Sequence, residues 1–280
     1  MSKGRATRAW HGDRERFLVA LKDDLLKACN DIATSTWNPR DGRTVPNVDT
    51  IALAEGAVTI DGSVMYADLA NSTGLVDSCK TEFAAQVTRV FLYVTAQLIK
   101  HTGGAVRSFD GDRVMGVFLG GNHADPAAEA ALKLRAARDE VILPTLRKKW
   151  SLDESSWKFN YGAGLDTSSI TVIKAAVRGD NDLIWLGSCA NHAATLSGRR
   201  TPGYATYATG RFFSATSYKQ NADGTPTWAR STDNACVMSN AYITLWTAEW
   251  MPAERPLKNL LIRTPSIRGY SRVLLRDLAR

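Results

Sequence analysis

The chain has 280 residues, 44% of them hydrophobic, and a formal net charge of +7. This composition excludes a largely disordered chain. The lack of an apolar run of roughly 18 residues, and of a signal-peptide core, predicts a cytoplasmic protein with no membrane span. The four cysteines form no C-x-x-C pair and predict free, buried thiols rather than a zinc site, and the positive charge suits an anionic partner.

The first predicted element is a helix over residues 13–31, where apolar side chains recur at helical spacing. Residues 37–49 are rich in turn-forming residues, which is typical of a linker. The pattern becomes regular from Ala57 onwards. We therefore predict three regions: an N-terminal helix and linker at residues 1–56, a main domain at 57–217, and a C-terminal extension with a basic tail at 218–280.

The main domain begins with a predicted strand, Ala57–Leu69, which leads through a polar loop into a helix over about Ser78–His101. Residues Ala105–Phe118 follow as a predicted hairpin, with a tight turn at Asp110-Gly111. The predicted order of elements in the first half of the domain is therefore β-α-β-β.

A second helix is predicted from Asp125, a suitable N-cap, towards Pro144. The remaining elements are predicted strands at Trp157–Leu165, Ile170–Val177 and Leu183–Leu186, and a short helix at Ala190–Leu196. The order β-α-β-β-α-β predicts a ferredoxin-like core, an α+β fold in which two helices cover one face of the sheet.

Two aspartates are predicted to meet at one end of this sheet. Asp68 ends the first strand, and Asp112 follows the hairpin turn of an antiparallel neighbour. Two close carboxylates repel unless cations join them, and a pair of divalent ions roughly 4 Å apart catalyses phosphoryl transfer. The loop after Asp68 adds main-chain N–H groups and the side chains of Asn71, Ser72 and Thr73, a suitable cradle for a triphosphate. Asp68 alone is equally typical of a helix cap or turn, and Asp112 alone is more typical of an ordinary Asp-Gly-Asp hairpin turn.

Three sequence blocks carry a resemblance to a known family. They are "MYADLANST" at Met65–Thr73, "SFDGDRVMGVF" at Ser108–Phe118 and "WLGSCANHAATLS" at Trp185–Ser197. In this order they resemble the class III nucleotidyl cyclases, the catalytic domain shared by adenylate and guanylate cyclases. The resemblance covers about Ala57 to Ser217 and identifies residues 57–217 as the expected catalytic domain.

The resemblance implies a set of site residues. The family's two metal-binding acids correspond to Asp68 and Asp112, and the residue after the first acid, here Leu69, binds a metal through its main-chain carbonyl. The asparagine that orients the ribose corresponds to Asn191 and comes from the opposite subunit. A nucleoside triphosphate substrate, two Mg²⁺ or Mn²⁺ ions per site and a head-to-tail homodimer with composite sites are therefore implied.

The base-reading positions depart from the purine cyclases. Ser108 stands where adenylate cyclases place a lysine, Ile184 stands where they place an acid or hydroxyl, and Tyr66 could stack on a base. Together with the segments Trp37–Pro46 and Arg178–Gly187, this pattern is similar to the pyrimidine cyclases of the bacterial phage-defence system Pycsar. The resemblance implies conversion of UTP, or less readily CTP, to the 3′,5′-cyclic monophosphate and pyrophosphate.

One further departure concerns charge at the reacting phosphate. Class III cyclases usually carry an arginine four residues after the ribose asparagine, and Thr195 occupies that place. Arg178, Arg199 and Arg200 are the candidates to replace it. Without such a cation, the loss of rate could be on the order of 10²-fold or more.

Other functions remain open at this point. A purine cyclase of the same class would keep the metal site and change only the base, and a decayed nucleotide sensor would explain Thr195. A nucleic-acid-binding protein would use the basic tail, but it would lack the interleaved aromatic residues of single-strand binders. We expect a cyclase whose product is read by a separate cyclic-nucleotide-binding effector, with no direct nucleic-acid partner.

Overall fold

The computed structural model describes residues 3–52, 56–152, 157–175, 182–200, 205–220, 227–230 and 236–238. The candidate Arg178 lies outside these residues, as does the predicted basic tail from residue 239 onwards. None of the helices in the described part of the chain is both long enough and apolar enough to cross a membrane.

The N-terminal region contains more structure than the sequence predicts. Helix α1, Lys3–Thr34, is longer than the predicted helix, and the predicted linker contains strand β1, Asn38–Asp41. A short 3-10 turn, Val48–Thr50, follows, capped by the side chain of Asn47. Strand β1 pairs in parallel with the start of the next strand and so extends the sheet.

The main domain consists of short helices and strands around two long strands. The first half contains β2 (Gly56–Leu69), α2 (Ser72–Ser78), α3 (Thr81–His101), β3 (Ala105–Asp110), β4 (Arg113–Leu119) and α4 (Ala124–Ala137). A π-helical turn (Arg138–Ile142), α5 (Leu143–Arg147), β5 (Tyr161–Lys174), β6 (Leu183–Leu186) and α6 (Ser188–Ser197) follow. The last described elements are β7 (Thr206–Ala208), α7 (Gly210–Ala215), β8 (Trp228–Arg230) and β9 (Cys236–Met238).

The sheet has the predicted ferredoxin-like strand order. Its strands run β3-β4-β2-β5-β7-β9-β8, with β1 added to β2 and β6 added to β5. Strand β2 lies at the centre and is antiparallel to both β4 and β5. Because helices cover both faces of the sheet, the side chains of β2 are buried nearly continuously rather than alternately.

Helices pack on both faces of the sheet. Val64 of β2 belongs to the apolar core that Ala190 and Ala193 of α6 complete. On the opposite face, the Ser63 hydroxyl lies 2.9 Å from Nδ1 of His123, at the start of α4. The two predicted helices, α3 and α4, therefore cover the face of the sheet to which Ser63 points. Helix α6 covers the opposite face, to which the even-numbered residues of β2 point.

Two predicted strands are a single strand. The predicted break between Trp157–Leu165 and Ile170–Val177 is wrong, because β5 runs without interruption from Tyr161 to Lys174. The polar residues that suggested a loop are paired with β2, and the Thr167 hydroxyl donates to the carbonyl of Gly62 at 3.0 Å. Val177 itself lies outside the described residues.

The second predicted helix begins and ends differently. Its N-cap is His123 rather than Asp125, whose carboxylate instead accepts hydrogen bonds from Thr216 and Ser217 after α7. Burial raises the pKa of Asp125, but these hydrogen bonds outweigh burial and hold its pKa below the usual value. Helix α4 ends at Ala137. Pro144 lies in the first turn of helix α5, where the main-chain N–H that proline lacks costs little stability.

The cysteines differ in exposure. Cys189 is buried and free, as predicted, but Cys29 on α1 is exposed and Cys79 is partly exposed. The prediction that all of them are buried is therefore wrong.

Candidate active site

Asp68 lies at the end of β2 with its carboxylate almost out of solvent. The residue is 9% exposed. Its Oδ2 accepts a hydrogen bond of 2.7 Å from Nη2 of Arg200, and its Oδ1 lies 3.4 Å from Nε of Arg113. A carboxylate this far from water needs positive partners, so this pocket is built to hold cationic charge next to Asp68.

Asp112 lies in the adjacent hairpin turn. The turn consists of Gly111, with φ +59°, and Asp112, because Asp110 already pairs with Arg113. Asp112 is therefore part of the turn itself, and its carbonyl accepts a 3.4 Å hydrogen bond from the N–H of Leu69. Asp68, Leu69 and Asp112 thus come together at one end of the sheet.

The donors at this end suit a hard divalent cation. Carboxylate and carbonyl oxygens are the ligands that Mg²⁺ and Mn²⁺ prefer. Among the described residues, no group of three or more His, Cys, Asp or Glu side chains converges, and the carboxylate of Asp112 has no partner there. A cation held by the two aspartates would therefore need additional oxygens, as Mg²⁺ sites that share substrate phosphates do.

In the polar segment after Asp68, a helix begins at an earlier residue than predicted. Ser72 and Thr73 form the first turn of α2 rather than a loop ahead of a later helix. Asn71 has the left-handed backbone conformation, with φ 54°, and its carbonyl accepts a 2.9 Å hydrogen bond from the indole of Trp157. This bond fixes the segment beside the acids.

The described base-reading candidates lie on three different strands. Tyr66 lies on β2 and Ser108 on β3. Burial raises the pKa of Tyr66 above its usual value, opposed by the nearby Ser108 hydroxyl and by the charge of Arg113. Ile184 lies on β6 and is 42% exposed. Tyr66 and Asp68 are both even-numbered residues of β2 and so share the sheet face that carries α6.

Asn191 is exposed on α6, and no partner within the described residues engages its side chain. Thr195, one turn later, donates its hydroxyl to the carbonyl of Asn191 at 2.9 Å and so is satisfied within the helix. Thr195 is uncharged, so it does not replace the positive charge of the arginine that class III cyclases usually carry at this position.

A buried acid that the sequence did not single out organises the start of α6. Asp166 on β5 is 0% exposed, and its carboxylate accepts hydrogen bonds from Arg211 Nε at 2.7 Å and from Thr209. It also lies 2.9 Å from His192 Nδ1, next to Asn191. Burial raises the pKa of Asp166, but its donors outweigh burial and hold that pKa below the usual value. The sequence offered no local signal for this role, because Asp166 falls between two predicted strands.

Comparison with known proteins identifies the family. No protein-family model matches the chain. A uridylate cyclase from Xanthomonas perforans is 37% identical over 81% of this chain and 98% of its own length. A uridylate cyclase from Burkholderia cepacia is 36% identical over 75% of this chain and 91% of its own length.

Solved structures agree at the level of the fold. A bacterial light-regulated adenylyl cyclase has a TM-score of 0.55 and 18% identity, over 69% of this chain and 54% of that one. The adenylyl cyclase CyaB from P. aeruginosa has a TM-score of 0.53 and 17% identity, over 68% of this chain and 98% of that one. The chain therefore belongs to the uridylate cyclases and has the fold of the class III nucleotidyl cyclases.

Proposed function

We propose that this nucleotide cyclase converts UTP, in preference to CTP, to 3′,5′-cyclic UMP and pyrophosphate. The observation that carries the proposal is the arrangement of Asp68, Leu69 and Asp112 at one end of the sheet, in a chain whose relatives bear the name uridylate cyclase. Residues 57–217 form the proposed catalytic domain, between the N-terminal region 1–56 and the extension 218–280.

The acids have a binding role in this proposal. Asp68 and Asp112, through their carboxylates, and Leu69, through its carbonyl, would hold two Mg²⁺ or Mn²⁺ ions. When bound, these ions would supply positive charge to the ribose 3′-hydroxyl and to the triphosphate. The low exposure of Asp68 strengthens this electrostatic effect, because little water remains to screen the charges.

The remaining residues position the substrate. Asn71, Ser72 and Thr73 would contact the triphosphate from the start of α2. The exposed side chain of Asn191 would reach the ribose of a nucleotide bound to a second subunit, so that two chains form two composite sites in a homodimer. Cyclisation then depends on holding the 3′-oxygen in line with the α-phosphorus.

Selection of the base would fall to Tyr66 and Ser108. The phenol of Tyr66 would stack on the base and narrow the base pocket, with the Ser108 hydroxyl nearby. Ile184 and Arg178 would complete the substrate pocket, Arg178 from outside the described residues. The product would act as a second messenger in anti-phage defence and would be read by a separate effector.

Incubation of the protein with each of the four nucleoside triphosphates and Mn²⁺ tests the proposal. We expect UTP to be consumed fastest, with cyclic UMP and pyrophosphate as products. Asp68→Asn should lower turnover on the order of 10³-fold or more, because the uncharged amide no longer supports the cation site. Lys100→Gln, which changes an exposed residue on α3, is the matched control and should retain activity. Preferential consumption of ATP or GTP would contradict the assignment of the base.

A further inference from the structure

Arg200 lies against an acid that the proposed function assigns to metal binding. Its Nη2 donates to Asp68 Oδ2 at 2.7 Å, and its side chain is 30% exposed. Both residues belong to the same chain, so this ion pair does not depend on a partner subunit. Among the described residues, the guanidinium of Arg200 is therefore the cation closest to Asp68, ahead of Arg113 at 3.4 Å.

The position of Arg200 is built into the end of α6. Its Nη1 donates to the carbonyls of Ser197 at 2.6 Å and Arg199 at 2.7 Å. Carbonyls at a helix C-terminus carry partial negative charge and favour a cation. The guanidinium therefore bridges the end of α6 and the end of β2.

A glycine makes this approach possible. Gly162 of β5 pairs directly with Asp68. A Cβ atom at position 162 would lie 2.2 Å from the carbonyl oxygen of Ser197 and 2.5 Å from Nη1 of Arg200. Only a residue without a side chain leaves room for the end of α6 and for the guanidinium over the strand.

The ion pair opposes metal binding in the free subunit. A divalent cation bound by Asp68 would face the charge of Arg200 and would compete for the same carboxylate. Like charges at a few ångström repel strongly where water is scarce. The triphosphate brings up to four negative charges. It would offer the guanidinium of Arg200 a new partner when the metal ion replaces the guanidinium at Asp68.

We propose that Arg200 is the resident counter-cation of Asp68, and that it transfers to the triphosphate when metal and nucleotide bind together. This inference rests on the proposed function, since it assumes that Asp68 binds the ion. Metal ions alone then bind weakly, and metal and nucleotide bind cooperatively. In the loaded site Arg200 supplies, from the same chain as the acids, the positive charge that Thr195 does not.

Titration of the nucleotide-free protein with Mn²⁺, followed by the paramagnetic resonance signal of the free ion, tests this inference. We expect Arg200→Gln to bind Mn²⁺ about tenfold more tightly than the wild type, because one opposing charge is removed. A non-hydrolysable UTP analogue should tighten Mn²⁺ binding by the wild type but much less by Arg200→Gln. Lys100→Gln removes the same charge at the far end of the sheet and should leave Mn²⁺ affinity within about twofold, since the charge is distant and screened.

Further variants separate the outcomes. Arg200→Lys keeps the charge, so its Mn²⁺ affinity should stay near that of the wild type even if Arg200→Gln folds poorly. Unchanged or weaker Mn²⁺ binding by a folded Arg200→Gln variant overturns the inference. A tenfold gain in Mn²⁺ affinity for Arg200→Lys, which keeps the charge, overturns it as well. Asp68→Asn should lose Mn²⁺ binding; if it does not, the proposed metal site itself is wrong, whatever Arg200 does.

Discussion

Asp68 and Asp166 are both acids paired with arginine, but their surroundings give them different roles. The side chain of Asp68 is 13% exposed, so an ion can reach it, whereas that of Asp166 is 0% exposed and fully engaged by donors from α6 and α7. A solvent-reachable pair can exchange one cation for another. The enclosed carboxylate of Asp166 instead holds its partners on α6 and α7 in place.

Asp166→Asn should destabilise the fold by about 1–3 kcal/mol at neutral pH, because a neutral amide weakens the buried hydrogen bonds from Arg211 and Thr209, while the Arg211 side chain, 40% exposed, stays partly solvated. The pKa of Asp166 in the folded protein lies below its usual value. Its stabilising contribution is therefore present above the unfolded-state pKa of about 4, and is lost as the pH falls through the lower folded-state pKa. Urea denaturation between pH 7 and pH 3 measures both effects.

The control for this experiment is Asp23→Asn on the exposed part of α1. It should change stability by less than about 0.5 kcal/mol. If Asp166→Asn is equally mild, or if its difference from the wild type does not shrink as the pH falls, Asp166 does not stabilise the start of α6 in the way described.

At the scale of secondary structure, the fit between α6 and β5 controls the site. Gly164, like Gly162, lies directly under α6: a Cβ there would lie 2.0 Å from the carbonyl of Ala193. Two strand glycines thus let the helix approach the sheet until its last turn, and Arg200 after it, reach Asp68. The end of the sheet that carries Asp68 is set by this packing as well as by the hairpin.

Gly162→Ala should therefore lower stability by about 1–3 kcal/mol, because the new methyl group would force the end of α6 away from the strand. The same movement should separate Arg200 from Asp68 and reduce turnover. Thermal denaturation and a UTP turnover assay measure the two effects. Gly121→Ala, at a position with nothing within 4 Å, is the control, and equal behaviour of the two variants would refute the close approach.

The sequence predicted the elements whose signals are local. The strand Leu183–Leu186 and the hairpin around Gly111 follow from apolar runs and turn chemistry, and the order of elements then gave the ferredoxin-like core. The uninterrupted β5 was not predictable from propensity, because Asp166 looks like a loop residue until its partners on α6 and α7 are known. The position of Arg200 beside Asp68 likewise depends on tertiary packing, which no local sequence pattern predicts.

At the scale of the whole molecule, the proposed site residues lie on separate elements of one subunit. Asp68 and Asp112 lie at the end of the sheet, with Arg200 beside them in the same chain. Asn191 projects from the exposed surface of α6. Such an arrangement suits a dimer in which each chain gives its acids to one site and its asparagine to the other.

Anomalous diffraction from crystals of the protein with Mn²⁺ and a non-hydrolysable UTP analogue tests this central claim most directly. The account predicts two manganese peaks within about 2.5 Å of oxygens from Asp68 and Asp112 of one subunit, with the ribose in contact with Asn191 of a second subunit. Arg200 should lie on the triphosphate. Manganese peaks bound away from these carboxylates, with Arg200 still paired to Asp68, would contradict it.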